Sequence, residues 1–373
     1  MEITEDLAAW VALSRTPGLS IRKLQAALAA AGNPAAVLRL PADALAAAGI
    51  DPTVRHHLTR HAGLAPDEQR WLETPGHHLL PYTDARYPPL LLATEGGPLA
   101  LYVYGEPARL LEPQLAIVGS RNPTAAGTEN AFAFARHLAL QGLAITSGLA
   151  QGIDAAAHRG ALSVPAPTIA VLGTGIDLIY PRLHAQLSRQ IVVDGVLVSE
   201  FPLGTPPRAG NFPRRNRLIA GLSLGTLVIE AAHRSGSLIT ARLAGEAGRE
   251  VFALPGSIHN PLARGCHRLI RDGAKLVENV ADILSELNFS CLNAAPRMAQ
   301  GAAAEAVKSA TSMDKVHEIL LDALGFEPLD LDVLVLRTGF KPEQVSSMML
   351  ILELEGHVKS AHGGRYMRIV RSP

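Results

Sequence analysis

The segment 208–217 combines cations and an aromatic ring in a way that suits binding of a nucleic-acid strand. It contains four arginines and no acidic residue, and Phe212 lies among the arginines. Proteins that bind single strands without sequence preference combine phosphate-binding cations with aromatic rings on which bases stack. The alternative is a solvated basic loop in which Arg215 or Arg217 pairs within the protein. The candidate DNA- and phosphate-binding residues of this segment are Arg208, Phe212, Arg214, Arg215, Asn216 and Arg217.

Two further segments have the composition of anion-binding turns. Residues 119–121, Gly-Ser-Arg, follow the apolar run 115–118, and residues 147–154 follow the apolar run 143–146 and precede a predicted helix. Glycine allows a ligand to approach the backbone closely, and free N–H groups at a helix start attract an anion. The alternative in both cases is a tight turn between a strand and a helix, without a ligand. The candidate residues of these turns are Gly119, Ser120, Arg121, Ser147, Gly148 and Gly152.

A third predicted helix start, at 235–240, places hydroxyl groups where an anion could also be bound. Ser237 and Thr240 are the candidate residues, and simple capping of the helix is the alternative. Residues 201–275 contain 11 lysines and arginines against four acidic residues, whereas the whole chain has 34 of each and a formal net charge of zero. Because the positive charge is concentrated in one segment, neutrality of the chain does not exclude a nucleic-acid partner.

The sequence does not have the residue patterns of metal or nucleotide-cofactor sites. Its histidines and cysteines lack metal-ligand spacing, and residues 173–175, Gly-Thr-Gly, lack the third glycine of a dinucleotide fingerprint. Asp154 and His158 are four residues apart on one predicted helix face, a spacing that is more often structural than catalytic. We therefore predict no catalytic residue, no metal and no cofactor. Glu230, which follows a predicted strand, is expected to anchor Arg217 or backbone donors.

Composition limits the class of protein and the compartment. With 48% hydrophobic and 18% charged residues, the chain is unlike a disordered protein. Two cysteines are too few for a disulfide framework and predict a reducing, cytoplasmic location. No apolar stretch is long enough for a membrane span, and the acidic first ten residues are unlike a secretory signal, so we expect no membrane partner.

The elements that position the candidate residues follow from changes of pattern along the chain. Short helices are predicted over 1–78. The helix–Pro-Gly–helix segment at 13–28 resembles a helix-hairpin-helix motif, and a plain αα-hairpin is the alternative. Over 79–290, short apolar strands alternate with helices, which predicts an α/β, Rossmann-like domain with a mostly parallel sheet. Residues 291–312 are interpreted as a linker. Three helices and a hairpin over 313–373 predict a winged-helix domain.

Several blocks, in this order, resemble the signature blocks of the DprA/Smf (DNA-processing protein A) family. They cover residues 116–121, 146–154, 212–217, 236–240 and 255–270. The resemblance implies a protein that binds and protects incoming single-stranded DNA during natural transformation and loads the RecA recombinase onto it. It also implies a homodimer formed through the Rossmann-like domain, without catalytic activity. The flanking segments are similar to the architecture of the family, in which a sterile-alpha-motif-like or helix-hairpin-helix-like domain comes first and a winged-helix domain comes last.

The same resemblance assigns residues to a positively charged DNA pocket. Gln151 departs from the family pattern, because many members have a basic residue at this position. The implied cationic and aromatic pocket residues are Arg121, Phe212, Arg214, Arg215 and Arg217. The glycine and hydroxyl positions of the pocket match Gly148, Gly152, Ser237 and Thr240.

Two other classes of protein share part of the pattern. The central domain also resembles cytokinin-activating phosphoribohydrolases, which cleave nucleoside monophosphates. Their Pro-Gly-Gly-x-Gly-Thr block is reduced here to Gly225-Thr226, and Glu230 follows later than in those enzymes, which argues against hydrolysis. A winged-helix transcription regulator is the second alternative. Its predicted recognition helix, 342–355, has no arginine and three glutamates, which argues against base readout in duplex DNA.

Overall fold

The computed structural model describes residues 5–51, 54, 57–58, 64–289, 315–324, 328–361 and 363–369. The chain divides into two compact units, Met1–Leu292 and Asn293–Pro373. The segments 1–78 and 79–290 therefore belong to one unit, and their separation into two domains stays a prediction. The predicted linker, 291–312, lies outside the described residues.

The first unit begins with a group of short helices. Ser20 Oγ accepts the N–H of Lys23 at 3.4 Å, and Asn33 Oδ1 accepts the N–H of Ala36 at 2.7 Å, so polar side chains cap two of them. The first two helices flank Pro17 and Gly18, which confirms the predicted helix–Pro-Gly–helix segment. Its assignment as a helix-hairpin-helix motif stays a prediction. The helices are α1 (Glu5–Ser14), α2 (Ile21–Ala31), α3 (Pro34–Val37), α4 (Ala42–Ala47) and α5 (Pro66–Glu73).

A nine-stranded sheet forms the centre of the first unit. In space the strands follow the order β1-β2-β6-β5-β4-β3-β7-β8-β9. Strands β3 to β9 pair in parallel, and β1 and β2 add an antiparallel edge, which confirms the predicted Rossmann-like, mostly parallel sheet. The strands are β1 (His77–Pro81), β2 (Ala100–Gly105), β3 (Gln114–Gly119), β4 (Ala144–Ser147), β5 (Thr168–Val171), β6 (Val196–Ser199), β7 (Gly225–Ile229), β8 (Glu250–Ala253) and β9 (Lys275–Leu276).

Helices pack on both faces of this sheet. In β3, Ala116 and Val118 belong to one apolar cluster, whereas Leu115 and Ile117 belong to another. Because alternate side chains of a strand point to opposite faces, a run that is apolar throughout is buried on both sides. The covering helices are α6 (Pro89–Leu92), α7 (Ala125–Leu140), α8 (Ile153–Leu162), α9 (Ala185–Asp194), α10 (Asn211–Leu222), α11 (Gly236–Glu246), α12 (Arg264–Arg271) and α13 (Val280–Glu286), with short 3-10 helices at Pro107–Leu111 and Arg182–His184.

The direction in which the chain adds strands reverses at β3. Strands β4, β5 and β6 lie on one side of β3, and β7 and β8 lie on the other. In open α/β sheets, ligands bind outside the carboxyl ends of the strands at such a reversal. Gly119, Ser147 and Ile229 end β3, β4 and β7 at this edge, so the predicted binding turns converge there.

The second unit is a small helical domain with a three-stranded sheet. Its buried core includes Leu334, Val345, Met349 and Leu352. The helices are α14 (Lys315–Leu324), α15 (Leu331–Thr338) and α16 (Pro342–Leu354), and the strands, in the order β10-β12-β11, are Leu329–Asp330, Arg365–Arg368 and Val358–Ala361. This arrangement is the predicted winged helix. Across the described parts of both units, no helix has the length and apolar character needed to cross a membrane.

Candidate nucleic-acid interface

An open cleft of about 520 Å³ lies at the carboxyl edge of the sheet. Its walls come from the ends of β3, the turn before α8, and the starts of α10 and α11. Seven of the 14 predicted binding residues line it: Gly119, Arg121, Phe212, Arg215, Asn216, Ser237 and Thr240. The other seven lie outside the cleft lining: Ser120, Ser147, Gly148, Gly152, Arg208, Arg214 and Arg217.

Arg121 and Phe212 form one wall of this cleft. The Arg121 guanidinium carbon lies 5.6 Å from the centre of the Phe212 ring, within the range of a cation–π contact. Arg121 is exposed and makes no ion pair with another described residue. A Cβ at Gly173 would lie 2.8 Å from Phe212 Cδ1, so the ring rests against the backbone of that glycine. The wall therefore presents a free positive charge beside a fixed aromatic ring.

Arg215 supplies a buried cation below the cleft. Its residue is only 4% exposed, and its Nη1 donates to the carbonyl oxygens of Gly148, at 2.5 Å, and Val171. Burial lowers the pKa of Arg215 to about 10, while the negative charge of Asp154 acts in the opposite direction. The guanidinium thus joins the ends of two strands, which is the internal pairing considered as the alternative for this arginine. Contact between Arg215 and a phosphate stays a prediction.

The sequence predicts free N–H groups in the turn after β4. This prediction is wrong for Gly148 and Ala150. Both N–H groups donate to Asp154 Oδ2, at 3.1 and 3.3 Å, so a carboxylate of the protein occupies the position expected for a bound anion. Burial raises the pKa of Asp154. The Ser147 hydroxyl is fully buried and donates to the carbonyl of Ile117 at 2.6 Å. The turn supports the base of the cleft by these bonds.

Gly148 and Gly152 are required by this packing. A Cβ at Gly148 would overlap the Arg215 guanidinium, and Gly152 has φ = 78° and lies against the carbonyl of Ser120. A side chain at Gly152 would be strained as well as crowded. Protein groups lie so close to these two backbones that only glycine fits. Direct contact of either glycine with a ligand stays a prediction.

Arg214 and Arg217 share one buried carboxylate. Glu200, whose side chain is 1% exposed, accepts from Arg214 Nη2 at 2.9 Å and also from Arg217. The Arg214 guanidinium lies 5.3 Å from the Phe201 ring centre, and Arg217 also donates to the carbonyl of Gly96. One negative charge therefore holds two of the four arginines of the basic segment. The sequence reasoning missed Glu200, although its position directly after β6 is a signal for a carboxylate at this edge.

Glu230 binds Thr124 and not Arg217, which was one of its two expected partners. Its carboxylate accepts from the N–H of Thr124 at 2.8 Å and from the Thr124 hydroxyl at 2.5 Å. The prediction that Glu230 binds backbone donors is confirmed. The prediction that it binds Arg217 is wrong, because Arg217 forms its ion pair with Glu200. Since Thr124 caps α7, Glu230 fixes the start of that helix next to β7.

The remaining predicted residues are hydroxyl groups and one exposed arginine. Ser235 Oγ accepts from the N–H of Ser237 at 3.3 Å and contacts its hydroxyl at 2.7 Å, so capping of α11 is observed. Ser120 Oγ accepts from the N–H of Asn122 at 3.1 Å. Arg208 is exposed and without an ion pair to another described residue. Ser237 and Thr240 line the cleft, as does Ser235, whereas Ser120 and Arg208 do not.

Asp154, His158 and Cys266 are three buried groups whose chemistry could serve as acid, base or nucleophile. His158 Nδ1 contacts the Thr168 hydroxyl at 2.8 Å, and Asp154 accepts from the turn N–H groups, so these two residues have separate partners. Burial raises the pKa of the Cys266 thiol to about 11, which keeps it protonated near neutral pH. Within the described ranges, no group of three histidines, cysteines or carboxylates is placed to hold a metal ion.

Residues 221–225 have the Gly-x-Ser-x-Gly spacing of a hydrolase nucleophile, a match that the sequence reasoning missed. In hydrolases of that kind the serine lies on a turn from a strand to a helix. Here Ser223 follows α10 and precedes β7, is fully buried, and donates to the carbonyl of Ile219 at 2.9 Å. The spacing therefore does not correspond to a nucleophile elbow.

The fold and the cleft define a doubly wound, Rossmann-like α/β protein with a cationic and aromatic cleft at the strand-order reversal, followed by a winged-helix unit. Comparison with known proteins identifies the family. A model described as DNA recombination-mediator protein A matches residues 78–288, and a model of the DprA winged helix domain matches residues 303–364. The chain belongs to the DprA/Smf family of DNA-processing proteins.

Individual relatives match over most of their length. Protein Smf of Escherichia coli is 47% identical over 303 residues, which are 81% of this chain and 80% of that protein. The X-ray structure of DNA processing protein A (DprA) from Streptococcus pneumoniae superposes with a TM-score of 0.63 at 36% identity, covering 77% of this chain and 99% of that one. DNA processing protein A from Helicobacter pylori, solved to study its single-stranded DNA binding mode, gives a TM-score of 0.52 at 30% identity, covering 57% and 96%.

Proposed function

We propose that this protein binds single-stranded DNA, without strong sequence preference, in the cleft at the carboxyl edge of the sheet. The observation that carries the proposal is Arg121, an exposed cation without an ion pair to another described residue, lying on the Phe212 ring. A phosphate can bind to the guanidinium while the adjacent base stacks on an aromatic surface, which is how single-strand binders act. The single-stranded DNA binding mode described for the Helicobacter pylori relative supports the choice of ligand.

Under this proposal the predicted residues have three roles, which depend on whether they line the cleft. Gly119, Arg121, Phe212, Asn216, Ser237 and Thr240 contact the strand, and Arg215 adds positive charge from beneath it. Ser120, Ser147, Gly148 and Gly152 shape the turns that form the walls, and Arg208, Arg214 and Arg217 add positive charge outside the lining.

The cellular role and assembly form a further part of the proposal. The protein protects incoming DNA in the cytoplasm during natural transformation, loads RecA onto it as a homodimer formed through the Rossmann-like domain, and does so without catalysis. Membership of the DprA/Smf family supports this role. Faster RecA filament growth on single-stranded DNA in the presence of the protein is the expected result. Release of free base from AMP would contradict the absence of catalysis and favour the phosphoribohydrolase alternative.

Arg121→Ala is expected to weaken single-strand binding and to reduce its dependence on salt. For single strands, the slope of log binding constant against log salt concentration is about −0.7 per neutralised phosphate. The slope should therefore become about 0.7 less negative for each phosphate that the variant no longer neutralises. Binding of oligo-dT, measured by fluorescence anisotropy over a series of salt concentrations, gives the slope.

Arg136→Ala is the matched control for Arg121→Ala, because it removes the same charge at another exposed position. Arg136 lies about 17 Å along α7 from its first residue, toward the opposite edge of the sheet. It is expected to leave the slope unchanged. Equal slopes for both variants, or duplex binding as tight as single-strand binding, would count against the proposed cleft. Tight duplex binding would favour the transcription-regulator alternative.

Phe212→Ala is expected to weaken binding of oligo-dT by about 1–3 kcal/mol, the usual loss for one base–aromatic stack. The salt slope should stay as in the wild type, since no cation is removed. Phe132→Ala, which removes a 38% exposed ring from α7, is the control and should bind normally. Isothermal titration would show whether Phe212 contributes; an unaltered affinity for Phe212→Ala would refute the stacking role.

A further inference from the structure

The loop after β5 places a second aromatic side chain beside Phe212. The centre of the Tyr180 ring lies 5.7 Å from that of Phe212, and the two rings are inclined by 42°. Tyr180 is 46% exposed, and its hydroxyl group forms no hydrogen bond with another described residue. An exposed tyrosine in contact with a cleft aromatic extends the aromatic surface beyond the cleft lining.

The loop that carries Tyr180 is braced on several sides. The Thr174 hydroxyl donates to the carbonyl of Leu178 at 2.6 Å, and the Ser199 hydroxyl donates to the carbonyl of Thr174 at 2.6 Å. The carboxylate of Asp177 accepts from the N–H of Gly204 at 2.9 and 3.0 Å. The bonds of Ser199 and Gly204 tie the loop to the end of β6 and to the segment that follows it, so the backbone that carries the ring is held before a ligand binds.

The loop is also tied to the start of the helix that carries Phe212. Asn211 Nδ2 donates to the carbonyl of Gly173 at 3.1 Å, and the Phe212 ring lies against the backbone of Gly173. The two rings therefore belong to one braced structure, although 32 positions separate them in the sequence. A separation of 5.7 Å is that of rings in direct contact, so a base has no room between them and must stack on an outer face.

We infer that Tyr180 is a second base-stacking residue, which binds a nucleobase next to the one on Phe212. This inference rests on the proposed binding of single-stranded DNA. The ligand group is the face of a base, which every nucleotide has, so the contact adds affinity without sequence preference. No cation is contributed by Tyr180, so its contact is independent of the phosphate contacts made by Arg121.

The test compares two oligonucleotides of equal length, oligo-dT and a strand with abasic sites throughout, binding to the full chain. Tyr180→Ala is expected to weaken oligo-dT binding by about 5- to 150-fold, the range for loss of one stack, and to leave binding of the abasic strand and the salt slope unchanged. Tyr180→Phe keeps the ring and should bind oligo-dT like the wild type. Leu183→Ala, at a 61% exposed position three residues away, is the matched control and should also bind normally.

Two results would overturn the inference while the proposed function stands. One is oligo-dT binding by Tyr180→Ala that equals the wild type, which would assign the exposed ring to another kind of contact. The other is an equal loss on both strands, which would make Tyr180 a positioning residue for the loop. If the wild-type chain does not bind oligo-dT, the proposed function fails, and this inference fails with it.

Discussion

Replacement of Arg215 by methionine is expected to lower the free energy of unfolding by a few kcal/mol, because each buried carbonyl left without its donor costs about 1–3 kcal/mol. Methionine approaches the length of arginine but donates no hydrogen bond. The carbonyls of Gly148 and Val171 would lose a donor, and Asp154 would be left buried without the cation that favours its charged form. Urea denaturation of the variant and the wild type measures the difference.

Arg208→Met is the matched control for this prediction. Arg208 is exposed and lies in the same basic segment. The free energy of unfolding of the Arg208→Met variant should therefore differ from that of the wild type by no more than about 0.5 kcal/mol. Adding Asp154→Asn to Arg215→Met should cost less than the sum of the two single losses, because the buried charge is then removed together with its partner. Equal stability of Arg215→Met and Arg208→Met would show that the buried guanidinium does not hold the strand ends together.

Arg121 and Arg215 differ in what a change in DNA binding would mean. Sequence reasoning treats Arg121 and Arg215 as equivalent phosphate-binding cations. In the structure, Arg121 is exposed on Phe212, whereas Arg215 is hydrogen-bonded beneath the cleft. A loss of DNA binding in an Arg215 variant would combine damage to the cleft with the loss of the positive charge beneath it, so the salt slope of an Arg121 variant is the informative measurement.

His158 is expected to make the protein less stable in acid. The Thr168 hydroxyl donates to the carbonyl of Ile145, so it must accept from His158 Nδ1–H, which leaves Nε2 as the site for an added proton. Nε2 is buried and has no partner among the described residues. Burial, and then the charges of His184 and nearby arginines, lower the pKa of His158 from 6.5 to about 3.

The sign of the pH dependence follows from this lowered pKa. Between pH 6.5 and about 3, the unfolded chain holds a proton on His158 that the folded chain lacks. Unfolding then takes up a proton, so the free energy of unfolding should fall as pH falls, by about 1.4 kcal/mol per pH unit from this group. Above pH 6.5 both states are neutral at this residue and its contribution is constant.

Urea denaturation at a series of pH values would measure this contribution as the difference between wild type and His158→Gln. The variant cannot titrate at this position, so its stability should decline less steeply between pH 6.5 and about 4. His259→Gln removes an exposed imidazole and is the control, with the slope expected to match the wild type. Parallel curves for His158→Gln and wild type would be evidence against a neutral, buried His158.

The sequence by itself determined the secondary-structure pattern and the family. Apolar runs such as 115–118 and 227–229 predict buried parallel strands because their residues are apolar on both faces, and β3 and β7 include these runs. Glycine and hydroxyl residues at the strand ends also predict where binding turns lie, because parallel strands bring their carboxyl ends to one edge. These properties are local, so neighbouring residues are enough to reveal them.

Only the tertiary structure decided which charged and polar groups are free to meet a ligand. Four arginines in one short segment look alike in sequence, yet Glu200 holds Arg214 and Arg217, and two carbonyls hold Arg215. Tyr180 is brought to Phe212 by a loop distant in the chain. Hydrogen bonds and ion pairs depend on distances of about 3 Å between groups that the fold alone brings together. For that reason the sequence predicted only part of the cleft lining, seven of the 14 candidate residues, and it could not predict which cations are available.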